Sequence, residues 1–211
     1  LDEPLAALDL KLRQRMLVDL DWIHDEVGIT FIYVTHDQGE AMSISDTIAV
    51  MNAGTVEQVG TSTEVYEAPR TSFVAAFIGD TNFFDGVVKS VDGEYCTLMI
   101  ESLPDITVYN DKNVKPGDKV HLSVRPEKIA LSTASPGGDK LNCIPGKVEE
   151  IIYLGSHTRY WINANGYRIS VIVTHNQFML DIREVTYDED VFISWYADNC
   201  YMLEKYHLAD E

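Results

Sequence analysis

Between residues 84 and 195 the apolar residues favour a period of two, and this constrains the fold more than any other feature of the chain. The runs 84–91, 95–101, 119–124, 143–154, 159–164, 167–174 and 191–195 alternate apolar with polar residues, or are rich in Val, Ile, Tyr and Trp. That composition suits a pleated, half-buried surface. Pro116-Gly117-Asp118, Ser135-Pro136-Gly137-Gly138 and Asn163-Ala164-Asn165-Gly166 separate some of them with turn residues. Many short strands at such spacing favour a small barrel, because closure removes exposed edges.

Before about Asn82 the period is different. Leu12, Met16, Leu20, Ile23 and Val27 recur at three- and four-residue steps and mark one apolar face of a helix. Asp9 suits its N-cap and Gly28 its C-terminal stop. ITFIYVT, residues 29–35, reads as a buried strand. A second helix is expected from Asp37, with Glu40 at capping-box spacing. Residues 47–51 and 55–60 flank Asn52-Ala53-Gly54 as a hairpin. Thr61 and Glu64 form another capping box, opening a helix that Pro69 closes, and residues 71–78 give one more, ended by Gly79. The pattern predicts an α/β unit over residues 1–80 and an all-β unit over 81–211.

The formal net charge is -18, from 16 basic and 34 acidic residues. No Lys/Arg stripe is available for a phosphate backbone, so nucleic acid is excluded as a partner. Tyr160-Trp161 and Trp195-Tyr196 accordingly read as core aromatics, since base-stacking platforms need a positive groove beside them. The longest wholly apolar run found, residues 73–78, is too short to span a bilayer, and a soluble protein is expected. Cys96, Cys143 and Cys200 show no C-x-x-C spacing and read as small buried hydrophobes in a reducing cytoplasm.

The chemistry is concentrated at two places. LDEPLAALD, residues 1–9, sets Asp2 and Glu3 side by side after what reads as a strand end, before a proline and a short loop into a capped helix. A carboxylate there can hold Mg²⁺ through its water shell, since Mg²⁺ takes few protein ligands, and its neighbour can orient an attacking water. THDQGEA, residues 35–41, puts His36 at the end of the expected 29–35 strand. If the two strands are parallel neighbours, Asp2, Glu3 and His36 gather at one carboxyl edge, where such sheets bind ligands.

LDEP with AALD, the following helix, VTHDQGEA and ISDTIAVMNAGTVEQVG together resemble the second half of an ABC-transporter ATPase domain. TNFFDG, VRPEKI and residues 148–154 resemble the C-terminal TOBE region of importer ATPases. Within the family the likeness is greatest to ATPases of polyamine (spermidine/putrescine) importers, and it covers nearly the whole chain. It implies an α/β part of a P-loop ATPase domain followed by an OB-like TOBE barrel.

By the same resemblance, Asp2 matches the Walker B aspartate that supports Mg²⁺, and Glu3 the glutamate that polarises water. His36 matches the switch histidine at the γ-phosphate. Residues 5–9, ending in Asp9, match the D-loop that reaches the opposite subunit's nucleotide. ATP and Mg²⁺ are the implied cofactors. The implied partners are a second copy of the chain and membrane-embedded permease subunits, with this protein cytoplasmic and peripheral on the inner face of the cell membrane, while the transported solute is not bound directly. Ala6 stands where the family usually has Ser, which removes a hydroxyl contact. Gly39 replaces a common acidic residue at about 1 kcal/mol of helix stability relative to Ala.

Neither a G-x-x-x-x-G-K-[ST] phosphate loop nor an LSGGQ-like signature occurs among the 211 residues. The expectation is thus a C-terminal fragment, inactive alone, of an ATP-hydrolysing importer subunit. The alternative is a TOBE module that senses a small ligand without ATPase activity of its own. VTHNQ, residues 173–177, echoes VTHDQ, residues 34–38, but the Glu and Ala that follow His36 have no counterpart after His175, and the echo reads as coincidence.

Overall fold

The computed structural model describes residues 1–178 and 185–204. The first helix, α1 (Leu10–Val27), begins and ends as expected. The Asp9 carboxylate accepts from the Leu12 amide, and Gly28, at φ 65°, turns left-handed and donates to the His24 carbonyl. The expected apolar face is present but uncovered. No residue of α1 is buried, and Leu12, Ile23 and Val27 are exposed.

The reading of residues 29–35 as a buried strand is corrected. Ile29, Ile32 and Val34 are 54%, 77% and 51% exposed, and the segment forms only one isolated parallel bridge, between Asp2 and Val34. The Val34 amide donates to Leu1, and the Glu3 amide donates to Val34. A partner running only from Leu1 to Glu3 is too short for a ladder. The other edge has no ladder partner among the described residues.

After α2 (Gln38–Ile44), strands β1 (Ile48–Asn52) and β2 (Thr55–Gly60) form the expected hairpin. Ala53 and Gly54, at φ 46° and 80°, supply the two left-handed residues that match a tight turn to the strand twist. Helix α3 (Ser62–Glu67) carries the full Thr61–Glu64 capping box. With α4 (Ser72–Ile78) these elements enclose a small core of Ile48, Val50, Val65, Val74 and Ile78.

The remainder is antiparallel β. The strands are β3 (Asn82–Asp92), β4 (Tyr95–Ile100), β5 (Ile106–Tyr109), β6 (Lys119–Val124), β7 (Ala130–Ser132), β8 (Leu141–Tyr153), β9 (His157–Ala164), β10 (Tyr167–Thr174), β11 (Asp190–Tyr196) and β12 (Cys200–Met202). They form two five-stranded sheets, ordered β10-β9-β8-β11-β7 and β12-β6-β3-β4-β5. Both contribute to one core, in which Phe84 of β3 stacks on Trp195 of β11 with ring centroids 5.8 Å apart. The two half-barrel sheets are consistent with an OB-like domain.

The sheets are built from a duplicated unit. Asn82, Gly86 and Val88 in β3 recur at the same spacing as Asn142, Gly146 and Val148 in β8, and each strand has a register shift just after its valine. Each unit continues through a further three strands and a 3-10 turn into a short last strand that crosses to the other sheet. So β7 pairs with β11, and β12 with β6.

The asparagines close the outer strands. Asn82 donates to the Ser170 carbonyl (2.9 Å) and accepts from the Ser170 amide (2.7 Å) on β10, while Asn142 makes the same pair of bonds to Thr107 on β5 (2.9 and 2.7 Å). Each buried side chain stands in for a strand and satisfies edge groups that would otherwise be orphaned.

The core-aromatic reading needs one correction. Tyr160 and Trp195 are buried, but Tyr196 is 58% exposed because its side chain lies on the opposite face of β11 from Trp195. Trp161, half-buried, carries the Arg168 guanidinium 4.5 Å above its ring. Cys96 and Cys200 are buried free thiols, and Cys143 is half-buried. Among the described residues no helix is long and apolar enough to cross a membrane.

Candidate functional site

The pairing of residues 1–3 with 32–34 fixes where the reactive side chains sit. Two parallel segments end together, and just beyond them His36 Nδ1 lies 3.0 Å from Glu3 Oε1. The Glu3 backbone turns at φ 41°, in a region non-glycine residues seldom occupy, as the chain leaves the pairing for Pro4. Neither side chain is held by burial, at 48% and 73% exposure for Glu3 and His36. Asp2 is exposed next to them. Asp9 sits apart from this pair as the α1 N-cap, 3.1 Å from the Leu12 amide. Asp2, Glu3 and His36 therefore come to one edge, and Asp9 terminates the loop that follows.

Beneath this edge lies a network that the sequence pattern did not reveal. Glu40 is 3% exposed, and its Oε2 accepts from the Tyr33 hydroxyl (2.9 Å) and from the Thr35 hydroxyl (2.8 Å). The capping-box reading for Glu40 is thus corrected. Asp37 does cap α2, accepting from the Glu40 amide, but the Glu40 side chain turns inward to Tyr33 and Thr35. Burial, and then the bond to Glu40, pushes the Tyr33 phenol well above its ordinary value, so it stays protonated and donates.

Arg13 of α1 completes the network. It donates to Asp37 Oδ2 (2.8 Å) and to the Leu8 carbonyl (3.2 Å), and its Nε lies 3.6 Å from Glu40 Oε1. One signal pointed there. Glu40 is a lone acid among the inward positions of an otherwise apolar turn with Ala41 and Ile44, and Arg13 adjoins the Leu12–Met16 stripe. A buried acid in such a place needs a cation and hydroxyls around it.

The implied groups can be tested against these side chains. Among the described residues no three His, Cys, Asp or Glu side chains converge on a metal position. Mg²⁺ held through water by one carboxylate, with phosphate oxygens completing its shell, needs no such cluster, and exposed Asp2 fits that role. No G-x-x-x-x-G-K-[ST] phosphate loop lies within the 211 residues. His175, the residue of the echo, lies elsewhere. Its Nε2 is 2.9 Å from the Thr158 hydroxyl, its Nδ1 is 2.8 Å from the Gly155 carbonyl, and its ring stacks on Tyr153.

A carboxylate and a histidine meet at the ends of two parallel segments, and a half-barrel β module of OB-like form follows them in the chain. Residues 122–203 match the family model of the TOBE domain. The chain as a whole is related, over 97% of its length, to spermidine/putrescine import ATP-binding proteins named PotA. It is 53% identical to that of Protochlamydia amoebophila, 49% to that of Fusobacterium nucleatum and 45% to that of Thermotoga maritima. The chain spans 56% of the length of each of these relatives. Among solved structures, the cytoplasmic molybdate-binding protein ModG, with molybdate bound, is 17% identical at a TM-score of 0.49, covering 57% of this chain and 94% of that one.

Proposed function

We propose that the chain is the C-terminal part of the ATP-hydrolysing subunit of an ABC importer for polyamines or a similar small solute. Residues 1–80 would complete an ATPase domain and residues 81–211 form the TOBE-type regulatory domain. The observation that carries this reading is the 3.0 Å approach of His36 to Glu3 at the ends of parallel segments, in a chain so closely related to import ATP-binding proteins. The uncovered apolar side chains of Leu12, Trp22, Ile23, Val27, Ile32 and Val34 support it, because a surface of this kind is normally packed against further protein.

In this reading Glu3 orients the water that attacks the terminal phosphate, and His36 bonds that phosphate as charge develops on it. Asp2 would hold Mg²⁺ through water, and the bound ion would supply neutralising charge for the phosphate. The loop ending at Asp9 faces a second copy. The partners are that copy and membrane-embedded permease subunits, which places the protein in the cytoplasm against the membrane's inner face. The solute itself passes through the permease and does not touch this chain.

The test is Mg²⁺-dependent ATP hydrolysis by the longer protein that carries this segment. Glu3→Gln keeps side-chain size and removes the charge, so it should retain ATP binding while turnover falls by about 100-fold or more. Loss of binding with turnover per bound nucleotide unchanged would overturn the assignment.

A further inference from the structure

Glu3 and His36 are each about half or more exposed, so their neighbours at the surface do not fix the distance between them. The segments that carry them form one isolated bridge, with backbone bonds from Val34 to Leu1 and from Glu3 to Val34 that stop short of His36. Beyond those bonds, one side chain beneath the edge ties together the loops that follow Glu3 and His36. The Arg13 guanidinium donates through Nη2 to the Leu8 carbonyl, in the loop that follows Glu3. Through Nη1 it donates to Asp37, the residue after His36. The same Asp37 holds the start of α2 through the Glu40 amide, and its own amide is held by the Thr35 hydroxyl. Thr35 is in turn held by Glu40, whose other oxygen lies 3.6 Å from Arg13 Nε.

We propose that Arg13 is a positioning residue that sets the separation of Glu3 and His36, by locking the loop after Glu3 and the loop carrying His36 onto one guanidinium. As an account of hydrolysis this rests on the ATPase reading above, while the lock itself is a property of this chain. A planar guanidinium serves two acceptors in fixed directions while keeping its charge 3.6 Å from Glu40, which neither a lysine ammonium nor an apolar stem can do. The geometry makes Arg13 a part of both loops although its backbone belongs to neither.

Two measurements test it. In the 211-residue chain, hydrogen exchange at the amides of Glu3, Asp37 and Glu40 should quicken together by about tenfold in Arg13→Met, with Arg13→Lys intermediate. Quickening confined to the α1 amides, or at one loop alone, overturns the lock, and this readout does not depend on hydrolysis. In the longer protein, Arg13→Met should lower kcat by about tenfold with KM for ATP changed by less than about twofold. In a His36→Ala background it should remove little more, because the two substitutions act through one element. An additive loss, or an effect on KM alone, overturns the positioning role. If the wild-type longer protein hydrolyses no ATP, the ATPase reading fails, and the exchange result still decides the lock.

Discussion

His36 and Glu3 lie 33 residues apart in sequence, and their side chains meet at 3.0 Å across the ends of two parallel segments. His175 sits in a nearly identical string of residues and meets no carboxylate among the described residues. A Thr158 hydroxyl, a Gly155 carbonyl and the Tyr153 ring occupy it instead. The same local sequence thus yields two environments, set by what lies across from it.

The two histidines should therefore separate cleanly on substitution. In the longer protein, His36→Ala should lower ATP turnover by about 10-fold to 1,000-fold while changing ATP affinity little, since its contact matters most as charge develops. His175→Ala should leave turnover within about twofold and lower stability by about 1 kcal/mol through two lost hydrogen bonds. Steady-state kinetics beside denaturant titration measures both. A loss of turnover in His175→Ala with His36→Ala harmless would reverse the assignment.

Asn82 and Asn142 each complete an outer strand of one sheet from the other, and both are more than nine-tenths buried. Truncation leaves a backbone amide and a carbonyl of Ser170, or of Thr107, without partners. Asn82→Ala and Asn142→Ala should each lower unfolding free energy by about 2–4 kcal/mol. Asn→Asp should be no rescue, because the carboxylate keeps the acceptor and loses the donor. Urea titration followed by Trp195 fluorescence reports the change.

Gly86 and Gly146 occupy matching places in the duplicated unit but should differ in tolerance. A Cβ on Gly146 would lie 2.5 Å from Ile162 Cγ2 and 2.9 Å from the Asn163 carbonyl oxygen. On Gly86 the nearest atoms are the Met99 carbonyl oxygen at 3.2 Å and Ile100 Cγ1 at 3.3 Å. Gly146→Ala is expected to destabilise by about 2 kcal/mol or more through overpacking, and Gly86→Ala by about half as much. Equal effects in thermal melts would contradict the difference in clearance.

Much of this was legible in the sequence, for identifiable reasons. Lys119–Val124 and Tyr167–Thr174 matched their expected bounds because turn residues or a bounded alternation marked both ends. Strands β7 and β12, each 3 residues long, and β5, of 4, are too short to display any period, and only pairing with distant partners defines them. The duplication is faint in the sequence because few identical residues carry it, among them an asparagine, a glycine and a valine spread along each copy. At the candidate site, Asp2, Glu3 and His36 could be read from strand ends. Glu40 and Arg13 carried only the weak signal of a lone acid on an apolar turn, because residues three apart at a helix start satisfy a capping rule as well as a buried network does. Burial decided between the two, and burial is a tertiary property.

Cys200 and Tyr66 give the fold an alkaline limb. Burial holds the Cys200 thiol up at about 12 from 9.0, and burial together with the Glu127 bond holds the Tyr66 phenol up at about 12 from 10.0. A raised folded value favours the neutral form, so this stability is whole below the unfolded value and drains away as pH rises towards the folded one. Unfolding free energy should therefore fall above pH 9.0, by about 1.4 kcal/mol per pH unit for the buried thiol. Cys200→Ala should flatten that slope between about pH 9 and pH 11 while lowering stability at neutral pH, where it removes the acceptor of the Trp195 indole N–H. A slope unchanged by the substitution would place the alkaline loss elsewhere.

Arg125 joins the two cores of the molecule. Its side chain emerges at the end of β6, is 5% exposed, and donates to Ala75, Gly79 and Asp80 at 2.7, 3.0 and 3.1 Å and to Tyr66 at 3.0 Å. These carbonyls lie at or near the C-terminal ends of α3 and α4, where unpaired helix carbonyls concentrate negative charge. The Tyr66 ring lies 4.3 Å from the guanidinium, and ion pairs from Arg159 to Asp80 and from Lys128 to Glu67 flank it. Arg125→Met would keep the stem and orphan four carbonyls, a loss of at least about 3 kcal/mol. Arg125→Lys should recover little, since an ammonium cannot face all four in one plane. The consequence to measure is cooperativity as well as midpoint. Exchange at the Ile162 and Ile193 amides reports the β core, and exchange at the Val65 and Val74 amides reports the smaller core of β1, β2, α3 and α4. In the wild-type chain the two should lose structure at one urea concentration, and in Arg125→Met the smaller core should unfold first, at least about 1 M lower. Coincident transitions in the variant would show that the cores are held together by some other contact.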